Sequence, residues 1–156
     1  MPNAPDWLAW AAGIVDGEGC IRLLPYNASS GKRRVYRAWQ IRISVSNTDP
    51  RMLMKLRDMF GGAIHSKQTR MMRGDPYKRR PQWEWIVACK KAHAVLTQIR
   101  PWLIAKAEQA DLAIASRKLI RTNSKGSAFT EVEHAYLEQL AGQMSALKRQ
   151  TFTETV

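Results

Sequence analysis

Asp16 and Glu18, separated by Gly17 and followed by Gly19, are the residues whose types and spacing best suit chemistry. They close a run of small and apolar residues, Ala11-Ala12-Gly13-Ile14-Val15, in a chain where acids are sparse: 13 Asp and Glu against 25 Lys and Arg. Carboxylates fixed at a helix end offer hard oxygen ligands to a divalent cation, and the surrounding positive charge suits a polyanion. A divalent ion beside a phosphate promotes hydrolysis by polarising it and activating water. Plainer roles compete. Glu18 could be a solvated helix-end acid, and Asp16 suits a structural cap better than catalysis.

The net charge of +12 points to nucleic acid or an anionic surface, and 156 residues suffice for one domain with its own core. The expected domain is 1–156, with a core at about 6–121 and a helical addition at about 128–150. The longest apolar run, Trp7 to Val15, is too short to span a bilayer, and Met1 to Asp6 lacks a basic leader region. The expected setting is intracellular, a prokaryotic cytoplasm or an organelle matrix, with no membrane partner. Cys20 and Cys89 form no C-x-x-C pair and are expected as free, buried thiols. His65, His93 and His134 are too scattered for a His-based nuclease or a zinc site, and no nucleophile triad or Gly-rich phosphate loop stands out.

The elements that must position the carboxylates follow from periodicity and breakers. A helix is expected from about Asp6 to Asp16, capped by Asn3 or Asp6, started by Pro5 and stopped by Gly17 and Gly19. A strand near Cys20 leads to a loop at Asn27 to Gly31. Tyr36 to Ser46 alternates, with Trp39, Ile41, Ile43 and Val45 on one face and Gln40, Arg42, Ser44 and Ser46 on the other. Asn47-Thr48-Asp49-Pro50 caps a helix from Arg51 to Phe60 that Gly61-Gly62 ends. A second hairpin spans about Ala63 to Ala88, with Trp83, Trp85 and Val87 on one face of its return strand. Helices follow at Lys90 to Ile99 and Trp102 to Leu119. Thr130 and Glu133 make a capping box for a last helix carrying Val132, Tyr136, Leu140, Met144 and Leu147. The order α-β-β-α-β-β-α predicts an α+β fold, a four-stranded antiparallel sheet with helices on one face. The tryptophans read as core rather than as base-stacking platforms.

Charge gathers on the two hairpins and so on the sheet face left without helices. Arg22, Lys32, Arg33, Arg34, Arg37 and Arg42 lie in the first, where no Asp or Glu occurs from Cys20 to Thr48; Lys67, Arg70, Arg73, Lys78, Arg79 and Arg80 lie in the second. Gln40, Ser44, Gln68 and Gln82 accompany them. Two-stranded ribbons fit the DNA major groove, where such side chains read base edges. Ala9 and Gly13 are four apart, as are Ala12 and Asp16, so one face of the first helix is smooth enough for close helix approach. The chain holds one such helix, which makes a second copy its natural partner.

The segment Ala11 to Gly19 resembles the motif of the LAGLIDADG homing endonucleases. Ala12, Gly13, Asp16 and Gly19 are identical to it; Ile14, Val15 and Glu18 are conservative changes, Gly17 stands for Ala, and Ala11 replaces the leading Leu. Trp83 to Ala88, Ala92 to Leu96, Arg100-Pro101-Trp102-Leu103 and Lys106 are similar to the later part of the family's domain, so the resemblance covers about Trp7 to Leu119. It implies an intron-encoded meganuclease with a saddle-like DNA-binding sheet. It would act as a homodimer through the motif helix, with Ala9, Ala12, Gly13 and Asp16 at the interface. Double-stranded DNA would be cut at a long, roughly palindromic site, leaving short 3′ overhangs. The resemblance further implies that Glu18 and the Gly17 carbonyl hold Mg²⁺, with Lys106 and Asn47 completing the catalytic set. Mn²⁺ would substitute, and Ca²⁺ would support binding without cleavage. An intron maturase that binds RNA, or a DNA-binding regulator without cleavage, would use the same scaffold.

Overall fold

The computed structural model describes residues 4–30, 34–67, 81–122 and 129–149. Helix α1 (Pro5–Glu18) runs into a long hairpin, β1 (Gly19–Ser30) and β2 (Arg34–Asn47). Helix α2 (Pro50–Phe60) precedes a second hairpin, β3 (Ala63–Lys67) and β4 (Gln82–Ala88). Helix α3 (Cys89–Ile99), a 3₁₀ turn (Arg100–Trp102) and helices α4 (Ala107–Thr122) and α5 (Glu131–Lys148) follow. The strands form one antiparallel sheet in the order β1-β2-β4-β3. This is the α+β arrangement the sequence predicts, and α5 adds Leu137, Leu140 and Met144 to the same core.

Strand alternation decides which side chains meet the helices. Trp39, Ile41, Ile43 and Val45 of β2 are buried, as are Ile21 and Leu23 of β1 and Trp85 and Val87 of β4. They pack with Ala11, Ala12 and Val15 of α1, Leu53 and Leu56 of α2, and Val95, Leu96 and Ile99 of α3. Each such aliphatic side chain contributes about 1.5–3 kcal/mol by leaving water. Asp49 caps α2 by accepting from the Arg51 N–H (2.9 Å). Gly61 and Gly62 take φ of 73° and 92°, a left-handed turn into β3 that other residues adopt only with strain.

Several boundaries differ from the sequence expectation. Helix α1 continues through Gly17 and Glu18, and its N-cap is Ala4, without a side-chain cap bond. Asn3 lies outside the described residues, and Asp6 sits in the first turn of the helix. The expected loop at Asn27 to Ser30 is strand, because Arg34 to Arg37 pair with it and ladder bonds outweigh turn propensity. Residues 103–106 precede α4, which begins at Ala107 rather than Trp102. On α5 the buried residues are Leu137, Leu140 and Met144, while Val132 and Tyr136 are 79% and 46% exposed, so the contact face is rotated from the expected one. His134 is part of that docking: its Nδ1 accepts from the buried Trp39 Nε1 (2.9 Å).

Candidate functional site

The carboxylate of Asp16 is fully engaged in holding a turn of its own chain. Its Oδ2 accepts from the backbone N–H groups of Ile104 (2.7 Å) and Ala105 (3.3 Å), and its Oδ1 accepts from that of Lys106 (2.9 Å). Three donors ahead of α4 would otherwise lack partners, so Asp16 caps that turn from across the fold. The Lys106 ammonium donates back to the Asp16 carbonyl oxygen in the last turn of α1. Lys106 is thus placed in a turn rather than in a helix, and is tied to the motif at both its backbone and its side chain.

Glu18 ends α1 and is exposed; Gly17, also exposed, precedes it. Helix carbonyl dipoles leave partial negative charge at that end, and the last turn holds no basic residue of the helix itself. A carboxylate and a nearby carbonyl are hard oxygen donors of the kind Mg²⁺ takes while keeping several waters. Among the described residues no group of three or more His, Cys, Asp or Glu comes together, so one chain offers only a partial ligand set. That donor set fits Mg²⁺ shared with water or a second copy, and does not fit a closed zinc site.

Gly19 turns the helix into β1, and its lack of a side chain is required. An added Cβ would lie 2.6 Å from the Val15 carbonyl oxygen and 2.8 Å from the Val15 Cα, both backbone atoms. Gly19→Ala is expected to cost about 1–3 kcal/mol and lower the melting temperature by roughly 3–10 °C. Gly142→Ala in α5, where a Cβ meets nothing within 4 Å among the described residues, should leave it within about 2 °C or raise it. Equal melting temperatures for wild type and Gly19→Ala in calorimetry would contradict the close approach.

The exposed side of α1 is a smooth stripe of Ala9, Gly13 and Gly17; Ala9 is partly covered, and a Cβ at either glycine would meet nothing within 4 Å among the described residues. Ala12, expected at a subunit interface, is instead fully buried in its own core. It lies one residue away from the stripe on the helix, which turns it inward. Asp16 is likewise directed to residues 104–106. Large apolar side chains flank the stripe: Trp7 of α1 is 46% exposed with Lys55 Nζ 3.8 Å from its ring centre, and Ile104, whose N–H bonds to Asp16, is 88% exposed.

Asn47 ends β2, two residues past the Val45 that pairs with Gly19. Its Oδ1 accepts from the Asp49 N–H (2.8 Å), closing the turn into α2. Hydrogen bonds from Arg51 hold the Asp49 carboxyl down at about 2. Asn47 therefore has a structural task beside the motif end, and its register puts it opposite Trp83 on the core side of the sheet.

The opposite, polar face carries Cys20, Arg22 and Leu24 of β1, Gln40, Arg42, Ser44 and Ser46 of β2, Gln82 and Glu84 of β4, and His65 and Lys67 of β3. Arg22 lies directly across from Arg42, a pairing of like charges that destabilises a sheet with no anion present. Burial opposes ionisation of the Cys20 thiol. Hydrogen bonds and charge from Arg22 (Nε–Sγ 3.1 Å) and Lys148 (Nζ–Sγ 3.4 Å) outweigh it and hold the thiol below its ordinary value. Arg37, expected on this face, shares the parity of Trp39 and so points to the helix side, where it pairs with Glu138 of α5 (3.0 Å). Lys32, Arg33, Gln68, Arg70, Arg73, Lys78, Arg79 and Arg80 lie outside the described residues; Arg34 is placed by its backbone in β2.

Sequence reasoning missed the turn at Ile104 and Ala105, which carries no polar side chain to mark it. It counted Glu84 only as a countercharge in the second hairpin and set His65 aside as scattered, although both share the strand alternation of Gln82 and Lys67. Cys20 and Cys89 are free thiols, as their spacing predicts, but they are not buried as expected: Cys20 lies part-exposed on the polar sheet face, and Cys89 is exposed at the start of α3.

No family model matches the chain, and no curated protein does. Solved structures do. The homing endonuclease I-CvuI, crystallised with its target in the presence of Ca, superposes with a TM-score of 0.66 at 20% identity, covering 96% of this chain and 86% of that one. The archaeal intron-encoded homing endonuclease I-Vdi141I, complexed with DNA, gives 0.65 at 16% identity over 98% of this chain and 91% of that one. The LAGLIDADG homing endonuclease I-SmaMI, bound to cleaved DNA, gives 0.63 at 16% identity, with 88% of this chain matching 43% of that one. The helix that ends on Asp16, Gly17 and Glu18 and the four-stranded sheet behind it together have the LAGLIDADG homing endonuclease fold.

Proposed function

We propose that the chain is a site-specific DNA endonuclease that works as a homodimer with Mg²⁺. One observation carries the reading: the fold brings Glu18 and Lys106 to the same end of α1, where β1 leads onto a cationic sheet face. The DNA-bound homing endonucleases of the same fold support it. The sheet binds DNA by its major groove. Arg22, Arg42 and Lys67 replace phosphate counterions or donate to base edges, while Gln40, Ser44 and Gln82 supply further donors and acceptors. The opposed Arg22 and Arg42 guanidinium groups are relieved when an anion enters between them.

Glu18 and the Gly17 carbonyl would hold the cation. When bound, Mg²⁺ polarises the scissile phosphate and activates water. Asp16 fixes the turn that carries Lys106, and the Lys106 ammonium adds positive charge where the departing oxygen becomes anionic. Two copies paired through Ala9, Gly13 and Gly17 place two such ends together, one for each DNA strand. Trp7 and Ile104 extend the apolar contact on either side of the stripe.

The test is cleavage of a DNA library with randomised sites. Mg²⁺ is expected to yield double-strand cuts at a recurring, roughly palindromic sequence with short 3′ overhangs, and Ca²⁺ to yield binding to the same sequence without cuts. No cleavage of any DNA by pure, folded protein in Mg²⁺ would overturn the reading. The dimer is checked separately. Light scattering of the DNA-free protein at micromolar concentration should give twice the 17.8 kDa chain mass. Gly13→Leu should give the single mass, because its side chain projects from the stripe into the second copy and not into its own core. A wild-type chain that scatters as a monomer would remove the pairing.

A further inference from the structure

The polar sheet face carries one acid among the described residues, Glu84 of β4. On a surface that meets a polyanion, a carboxylate repels its ligand unless it accepts a hydrogen bond from it. Glu84 pairs across the strands with Ser46 on one side and His65 on the other. Lys67 of β3 reaches over it: the Lys67 Nζ lies 3.9 Å from the Glu84 Oε1 and 3.4 Å from the Ser46 Oγ. At that distance the ion pair is not a hydrogen bond. An ammonium has three donors and a carboxylate about four lone-pair sites, so both groups retain capacity for a ligand.

We infer that Lys67 and Glu84 form a subsite for a G·C base pair, with Lys67 on the guanine and Glu84 on the cytosine. The inference rests on the sheet face being the DNA surface proposed above. In the major groove guanine shows two acceptors, N7 and O6, and cytosine shows the N4 amino donor. The O6 and N4 atoms are joined by their own hydrogen bond at about 2.9 Å, and the Lys67 Nζ and Glu84 Oε1 stand 3.9 Å apart, a spacing that lets each side chain approach one of the two atoms. A donor and an acceptor set side by side therefore face an acceptor and a donor in the same order.

The other base pairs fit less well. The reversed C·G pair sets O6 against the carboxylate and N4–H against the ammonium, so both contacts repel. A T·A pair does present O4 to Lys67 and N6–H to Glu84. Thymine, however, has a methyl group where guanine has a second acceptor, and adenine sets N7 beside the carboxylate. A G·C pair thus gives Lys67 two acceptors and Glu84 no acceptor to oppose it. In a twofold dimer this fixes one G·C pair in each half-site.

The experiment is selection of bound DNA from a randomised library in Ca²⁺, using the full chain as wild type, Glu84→Gln, and the exchanged pair Lys67→Glu with Glu84→Lys. Wild type should retain G·C at one symmetric pair of positions. Glu84→Gln should reduce that preference by roughly 5- to 150-fold, toward adenine contacts that an amide satisfies, with the other positions unchanged. The exchanged pair should select C·G at the same positions. A Glu84→Gln profile identical to wild type at every position would overturn the inference. So would a uniform loss of affinity with the profile intact, which would mark the pair as a phosphate contact or a support for the sheet. A wild-type chain that retains no sequence at all would defeat the DNA reading itself, and this inference with it.

Discussion

Glu18→Gln is expected to abolish DNA cleavage while target binding and fold persist. Glutamine keeps the shape of the side chain and removes the charge proposed to hold a divalent cation. Metal assistance supplies several kcal/mol of transition-state stabilisation, so the rate should fall on the order of 10³-fold or more. Binding should change little, because the donors proposed for it lie on the sheet: Arg22, Arg42, Lys67 and the polar residues between them. The fold should not suffer either, since Glu18 is exposed at a helix end. In the proposed dimer the substitution would remove one carboxylate from each copy, which would relieve repulsion in the absence of metal. The measurement pairs single-turnover cleavage in Mg²⁺ with binding in Ca²⁺. Wild-type cleavage by Glu18→Gln would disprove the metal assignment; loss of binding with activity would show instead that the substitution disturbs the sheet.

Asp16→Asn should fail in a different way, losing stability and activity together. Both carboxylate oxygens are used, Oδ1 by Lys106 and Oδ2 by Ile104 and Ala105, and all three partners are backbone donors. An amide retains one acceptor oxygen and turns an N–H₂ group toward donors that need an acceptor. Hydrogen bonds to a charged group contribute about 1.5–3 kcal/mol each, and an orphaned donor costs a similar amount. A loss of about 2–4 kcal/mol follows, lowering the melting temperature by roughly 5–15 °C for a chain of this size. With the turn released, Lys106 loses the backbone bond that fixes it beside the motif, so cleavage should fall even at temperatures where the protein stays folded. Thermal melts together with cleavage assays well below the transition separate the two effects. An Asp16→Asn protein as stable as wild type would contradict the capping role, and Glu18→Gln, which should melt normally, is the control.

Sequence alone determined the parts whose physics is local. The alternation of Trp39 to Val45 had one solution, because a side chain on the wrong face of β2 would leave the core for water. Asp49 before Pro50, and Thr130 with Glu133, mark helix starts by bonds made within three residues, and both bonds are present. The charge balance indicated a polyanion before any contact was known, since charge adds up over the chain wherever it folds.

Tertiary structure decided what depends on residues far apart in the chain. Asp16 lies 90 residues from Lys106, and no local pattern shows that its carboxylate is spent on the turn at 104–106. Ala12 and Gly13 are equally small, yet one is fully buried and the other exposed, because the sheet fixes the rotation of α1. Arg37 and Arg42 look alike as charges on one strand, but odd and even positions face opposite sides, and Glu138 waits on the helix side. Lys67 and Glu84 come from different strands, and only the register of β3 against β4 sets one beside the other. Such placements arise from packing and strand register, in which each residue's surroundings are supplied by distant parts of the chain.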